Sequence, residues 1–234
     1  MPDTQMNKMG AQSFDQMKGR TPVEHDARTN EYVKCVAMAV AKEASEAAQI
    51  DNWEVVVFKD NSANAFALPG GKIGVHTGIL PVAKTSGQLA AVLGHEVGHV
   101  IAHHGNERVS QGLLAQGGMA AAAAATNGSS SQNVTMAALG LGAQFGVLLP
   151  FSRKHESEAD LIGLDLMARA GFDPHDAVEL WKNMAAGGGK QPPQFMSTHP
   201  SHENRIKDLE SNIPKAMPAF ERARASGKSP ICRL

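Results

Sequence analysis

His95-Glu96-Val97-Gly98-His99 sets two imidazoles four residues apart with a carboxylate between them. On a helix of 3.6 residues per turn those histidines differ by about 40° in azimuth, so both rings share a face and reach one metal ion. Glu96 lies about 60° from His99 by the same arithmetic. It leans over the open side of such an ion without ligating it, which is the place of a general base for an attacking water. The chemistry that this spacing supports is metal-assisted hydrolysis. The flanking residues Leu89, Val92, Leu93, Val97, Val100 and Ile101 make the helix apolar. Polar histidines on a buried helix cost free energy unless a partner satisfies them.

A hydrolytic zinc site takes three protein ligands and keeps a fourth position open. The extended pattern HExxHxxGxxH needs glycine at 102 and histidine at 105, where this chain has Ala102 and Gly105. The other option is a glutamate from a later helix. Glu156-Ser157-Glu158-Ala159-Asp160 supplies it, because Glu156 and Asp160 share a helical face at i, i+4. Glu156 is the expected third ligand, and Asp160 the carboxylate that orients a ligand histidine through its other nitrogen. Glu158, about 200° round the helix from Glu156, is expected to point elsewhere. Taken alone, the run also reads as a charged first turn favoured by the helix dipole. His199, in Thr198-His199-Pro200, and Arg205 six residues later suit donors that support charge developing on a scissile carbonyl. On the residues alone, a surface loop and an ordinary helical arginine is the simpler reading. His103 and His104 read as structural or solvent-facing. His25, His76, His155, His175 and His202 show no partner pattern.

The remaining sequence has to position these groups. Its 234 residues, 42% hydrophobic and 19% charged, suffice for one medium domain and exclude a disordered chain or a coiled coil. Lys plus Arg number 22 against 23 Asp plus Glu, so no excess of positive charge argues for nucleic acid. Residues 1–20 read as a flexible leader, and 21–234 as a single domain. Thr21-Pro22 suggests a helix start, with apolar positions running on to about Gln49. Trp53–Phe58 reads as a buried strand, and 61–80 as two more strands joined by Pro69-Gly70-Gly71. Thr85-Ser86-Gly87-Gln88 has capping-box spacing ahead of an apolar helix through about His104. Further helices are expected at 155–170, ending at Gly171, after Asp173-Pro174, and from about Ser201. The order predicts an α+β fold, mainly helical, with a small β-sheet next to the HExxH helix.

Residues 109–152 hold no charged residue and no histidine. Two apolar legs flank a polar hinge, each at the short limit for a membrane span. A close-packed helical hairpin inserted in the domain, acting as a lid or lying against a membrane, is the preferred expectation; Gly142 and Gly146 would allow near approach. Cys35 and Cys232 are too few for a disulfide scaffold. In an oxidising compartment they would tie the chain's end to an early helix. The N-terminus carries no apolar stretch of a secretory signal in these residues.

Three ordered motifs carry a family resemblance: HEVGH at 95–99, SRKHESEAD at 152–160 and THPSHENR at 198–205. Together they resemble the gluzincin peptidases of the HtpX and CAAX-prenyl-protease group. Within it the chain looks most like the LoiP-like bacterial branch, which has mitochondrial Oma-type relatives. NAFALPGGKIGVHTGIL at 64–80 is similar to that family's strand block before the zinc helix. The resemblance implies a zincin-like fold and one Zn2+ per chain. It implies His95, His99 and Glu156 as ligands, Glu96 as base, and His199 and Arg205 lining the active site. In some members the later histidine approaches the metal in a resting, self-inhibited state. It implies a metalloendopeptidase for unfolded or misassembled proteins, placed in the periplasm near outer-membrane assembly proteins. Asn64, Ala65, Phe66 and Ala67 are the expected edge on which substrate adds as an extended strand. The rival reading is a zinc-bound chaperone or assembly factor whose peptidase activity is latent.

Overall fold

The computed structural model describes residues 1–114, 151–186, 194–200 and 204–234. Its helices are α1 (Asp3–Arg20), α2 (Ala27–Ala48), α3 (Ser86–Ile101), α4 (Arg153–Arg169), α5 (His175–Ala186), α6 (Gln194–Thr198) and α7 (Arg205–Ala225). Residues 104–114 are helical as well. Strands β1 (Glu54–Phe58), β2 (Ala65–Leu68) and β3 (Lys72–His76) form one sheet in the order β1-β3-β2. The fold is α+β, as the alternation of signals predicts.

β3 is central. It pairs in parallel with β1, Val55 opposite Ile73, and antiparallel with β2, Ala67 opposite Ile73. Gly70 (φ 83°) and Gly71 (φ 74°) take the left-handed backbone that lets β2 reverse directly into β3. β2 therefore lies at the sheet edge, packed beside α3. One core joins the layers: Val33, Val36 and Val40 of α2, Val57, Ile73 and Val75 of the sheet, Leu89, Leu93 and Val97 of α3, and Met167 of α4. Each such side chain, buried in full, contributes roughly 1.5–3 kcal/mol.

Thr85 caps α3 by accepting from the Gln88 N–H at 3.1 Å, while the Gln88 side chain accepts from Lys84 N–H at 2.8 Å. α3 ends before His104. His103 sits at φ 54°, a left-handed position that breaks the helix before it resumes at 104. α3 crosses α4 at backbone contact. A Cβ added at Gly98 would lie 2.8 Å from the Ala159 carbonyl oxygen, and one at Gly163 would lie 2.7 Å from the His95 nitrogen.

Four expectations need correction or fall outside what is described. Residues 1–20 are not a flexible leader: they form α1, whose stripe Met6, Gly10 and Phe14 is buried at i, i+4, i+8. Phe14 packs edge-on to Phe58 and Phe66, with ring centroids 6.0 and 6.3 Å apart. The second helix starts at Ala27, not Thr21. Asp26 caps it through the Thr29 N–H at 2.7 Å, because Pro22 and Val23 run extended beside Phe58 and Lys59. Most of the 109–152 insertion, residues 115–150, lies outside the described residues, as do residues 201–203, where the sequence predicts the last helix to begin. Among the described residues no helix is long and apolar enough to cross a membrane. Cys35 and Cys232 are joined in a disulfide, which fastens the last residues to α2.

Candidate metal centre

α3 offers the first three groups. His95 and His99 project from one face, and their Nε2 atoms stand 3.0 Å apart. α4 brings Glu156, whose Oε2 is 3.4 Å from His95 Nε2 and whose Oε1 is 3.5 Å from His99 Nε2. The glycines at the α3–α4 crossing are what let the ligand faces of the two helices approach this closely. His199, at the end of α6, adds Nδ1 at 3.1 Å from His95 Nε2 and 3.0 Å from Glu156 Oε1. All four side chains are buried.

The donor set fits a metal. Ligand atoms around a tetrahedral zinc with bonds of about 2.0–2.1 Å stand about 3.3 Å apart. The five separations given above run from 3.0 to 3.5 Å, and one ligand atom from each of the four residues lies within 4.8 Å of the others. Two imidazole Nε2 atoms turned toward each other and toward a carboxylate form a set that only a shared cation or protons can reconcile. The electrostatics say the same. Burial works to raise the Glu156 carboxyl, but the surrounding imidazoles prevail and hold it well below the usual carboxylate range. Burial works to lower His95, yet Glu156 and Asp160 push it up to about 9. Burial takes His99 well below the ordinary histidine range.

Glu96 stands beside this group and does not join it. Burial raises its carboxyl above the ordinary range, and the Ala67 backbone N–H hydrogen-bonds to it. Its Oε1 is 3.2 Å from His199 Nε2. Glu96, His99 and His199 face a cleft of about 230 Å³. Asn64, Ala65, Phe66 and Ala67 line one side of that cleft, and Met6 and Met9 of α1 line another.

Asp160 meets expectation in position: its Oδ1 accepts from His95 Nδ1–H at 2.8 Å, which leaves Nε2 bare for a cation. Arg205 does not. It is 1% exposed and absent from the cleft lining. One terminal nitrogen donates to Glu156 Oε2 at 2.9 Å and the other to Asp160 Oδ1 at 2.6 Å. Its guanidinium carbon stacks 3.6 Å from the Trp181 ring centroid. Arg205 therefore braces Glu156 and Asp160, and its second terminal nitrogen stands 3.5 Å from His95 Nε2. Among the described residues, the guanidinium that lines the cleft is that of Arg108, stacked 3.7 Å over the Phe151 ring. Burial lowers Arg108 to about 10, so it stays charged at neutral pH.

Residue reasoning also missed His104. It is 1% exposed, and its Nδ1 lies 2.9 Å from His99 Nδ1. Burial, then His155, lowers its pKa. A histidine five residues past His99 sits off the ligand face of an unbroken helix; only the turn at His103 carries it back under His99. Phe151, stacked on His99 with centroids 3.8 Å apart, likewise had no signal beyond lying next to the 152–160 run.

A family model for peptidase family M48 matches residues 27–213, which takes in every residue of the cluster. The chain belongs to peptidase family M48. M48 peptidases are zinc-dependent, and His95, His99, Glu156 and His199 form the buried group fit for the ion. Among curated relatives, the mitochondrial metalloendopeptidase OMA1 of Schizosaccharomyces pombe is 44% identical over 168 residues, 70% of this chain and 48% of that one. Human mitochondrial metalloendopeptidase OMA1 is 32% identical over 214 residues, 87% of this chain and 41% of that one. The β-barrel assembly-enhancing protease of Escherichia coli is 26% identical over 221 residues, 90% of this chain and 44% of that one. The chain spans about half the length of the curated relatives it matches. These relatives correct the expectation of a periplasmic location, because those at 44% and 32% identity are named as mitochondrial. The family resemblance read from the three motifs holds.

Proposed function

We propose that this M48 chain is a zinc metalloendopeptidase that cuts unfolded or misassembled polypeptides in protein quality control. The observation that carries the reading is the buried cluster of His95, His99, Glu156 and His199, with the Glu96 carboxylate beside it at the mouth of a cleft. His95 Nε2, His99 Nε2 and Glu156 would hold the ion. Bound zinc supplies a Lewis acid that brings the pKa of water toward about 7. Glu96, its basicity raised by burial, accepts the proton of the attacking water and hands it to the leaving amine. Asp160 keeps the His95 proton on Nδ1, and Arg205 keeps both carboxylates in place. Substrate lies extended along the β2 edge at Asn64, Ala65, Phe66 and Ala67, where main-chain pairing holds a polypeptide with little demand on its sequence. His199 Nδ1, 3.1 Å from His95 Nε2 and 3.0 Å from Glu156 Oε1, would join these ligands at rest, and with substrate bound His199 would support the carbonyl oxygen through its ring N–H.

Metal content and casein cleavage, measured on wild type and Glu96→Gln prepared identically, test this. The expected result is one zinc in both, with cleavage lowered about 10²–10⁴-fold in the variant. Full cleavage by Glu96→Gln would remove Glu96 as the base. No zinc in either protein after reconstitution would remove the metal reading altogether. For the β2 edge, a peptide methylated at alternate backbone nitrogens should compete more weakly than its parent; equal competition would sink the strand-addition reading.

A further inference from the structure

His95 has a carboxylate behind it, Asp160, and the rule for a ligand imidazole is that its second nitrogen is held. Among the described residues no carboxylate meets His99 Nδ1. That nitrogen instead meets Nδ1 of His104 at 2.9 Å, and Nε2 of His104 meets Glu158 Oε2 at 3.3 Å. Resting on the reading of His99 as a metal ligand, we propose that His104 and Glu158 are positioning residues that hold His99 toward the ion.

The proton positions leave one consistent arrangement. A nitrogen that binds a cation carries no proton, so a ligand His99 that binds through Nε2 keeps its proton on Nδ1. That proton is donated to His104 Nδ1, which must then be bare. The His104 proton accordingly sits on Nε2, pointed at the Glu158 carboxylate, which accepts. Each ligand histidine is thus held by a carboxylate of α4: His95 by Asp160 directly, His99 by Glu158 through one imidazole. The two carboxylates sit on different faces of α4, and the break at His103 is what aims His104 into the gap. Ring packing locks the relay. Phe151 stacks on His99 with centroids 3.8 Å apart, and His155 stacks on His104 at 4.3 Å. The Glu158 side chain is half exposed, so its share is smaller than that of the buried His104.

The test is zinc affinity by chelator competition, on wild type, His104→Leu, His104→Gln, Glu158→Gln and the double variant His104→Leu/Glu158→Gln. His104→Leu keeps the volume but loses the acceptor, and should weaken zinc about 10–100-fold. His104→Gln keeps an acceptor and a donor and should recover most of that loss. Glu158→Gln should weaken zinc less, and should add nothing in the double variant, because it acts through His104. Wild-type affinity in His104→Leu, or full additivity in the double variant, would overturn the relay. Should His104→Leu fail to fold, nitrogen NMR of the zinc-loaded wild type decides: a proton on His104 Nε2 supports the relay and one on Nδ1 overturns it. A wild type that takes up no zinc would instead sink the metal reading on which the relay rests.

Discussion

At the scale of single residues, the site separates atoms that touch the reaction from atoms that hold those atoms still. His95, Glu96, His99, Glu156 and Asp160 were readable in the sequence because each sits at fixed spacing on an unbroken helix, where azimuth follows from residue number. Arg205 shows the limit of that reading. Its position after His199 suggests a substrate-facing donor, yet its carboxylate partners are the ligand Glu156 and Asp160, the carboxylate behind His95. Removing it leaves Glu156 and Asp160 buried beside each other without their shared cation. Arg205→Ala should therefore cost about 3–5 kcal/mol of stability, most of it the penalty of the uncompensated charges. Urea unfolding followed by tryptophan fluorescence checks this, since Trp181 lies against the guanidinium. An Arg205→Ala protein that is as stable as wild type but slow in catalysis would return Arg205 to the role of oxyanion donor.

At the scale of elements, the α3–α4 crossing decides whether the ligands meet. Gly98→Ala gains about 1 kcal/mol in helix propensity but places a methyl 2.8 Å from the Ala159 carbonyl oxygen, and overpacking against backbone costs about 1–3 kcal/mol or more. The second effect should win, lowering the thermal midpoint and weakening zinc, because the helices must part. Gly19→Ala in α1, with nothing within 4 Å of the added carbon, should be neutral or slightly stabilising. A Gly98→Ala protein with unchanged midpoint and zinc affinity would show that the crossing has slack. The sheet makes a separate prediction. His76, at the end of β3, has its Nδ1 2.7 Å from the Ser62 hydroxyl and its ring edge-on to Phe58 and Phe66. Burial lowers its pKa, against the opposing pull of Asp60. A depressed folded-state pKa means that protonation favours the unfolded chain. The His76 contribution is then complete above the unfolded value of about 6.5 and is lost as pH falls through the lower folded value. Thermal midpoints of wild type should drop between pH 7.5 and 5.5 more steeply than those of His76→Gln; parallel curves would remove His76 as the cause.

At the scale of the whole molecule, the two ends of the described chain are fastened to the body. α1 lies against β2 and β3, packs Phe14 edge-on against the stacked Phe58 and Phe66 rings, and lines the cleft with Met6 and Met9. At the other end, the Cys35–Cys232 bridge joins cysteines 197 positions apart. A bridge across so long a loop restricts the unfolded chain and typically adds about 2–4 kcal/mol. Reductant should lower the denaturation midpoint of wild type, whereas Cys35→Ser/Cys232→Ser should start low and ignore reductant. Equal midpoints with and without reductant would show that the bridge contributes nothing to stability.

Local spacing determined much of this protein. HEVGH marked the helix of the proposed zinc site, SRKHESEAD its proposed third ligand and the neighbouring carboxylate, and the strand block with Pro69-Gly70-Gly71 the sheet edge beside α3. Each of these depends on residues near one another in sequence, where helix and strand periods convert number into direction. The bracing by Arg205, the link from His99 through His104 to Glu158, the wall made by α1 and the Cys35–Cys232 bridge waited for the tertiary structure. They join residues 45 or more positions apart, or hang on a single left-handed residue at His103, and no local period reports either.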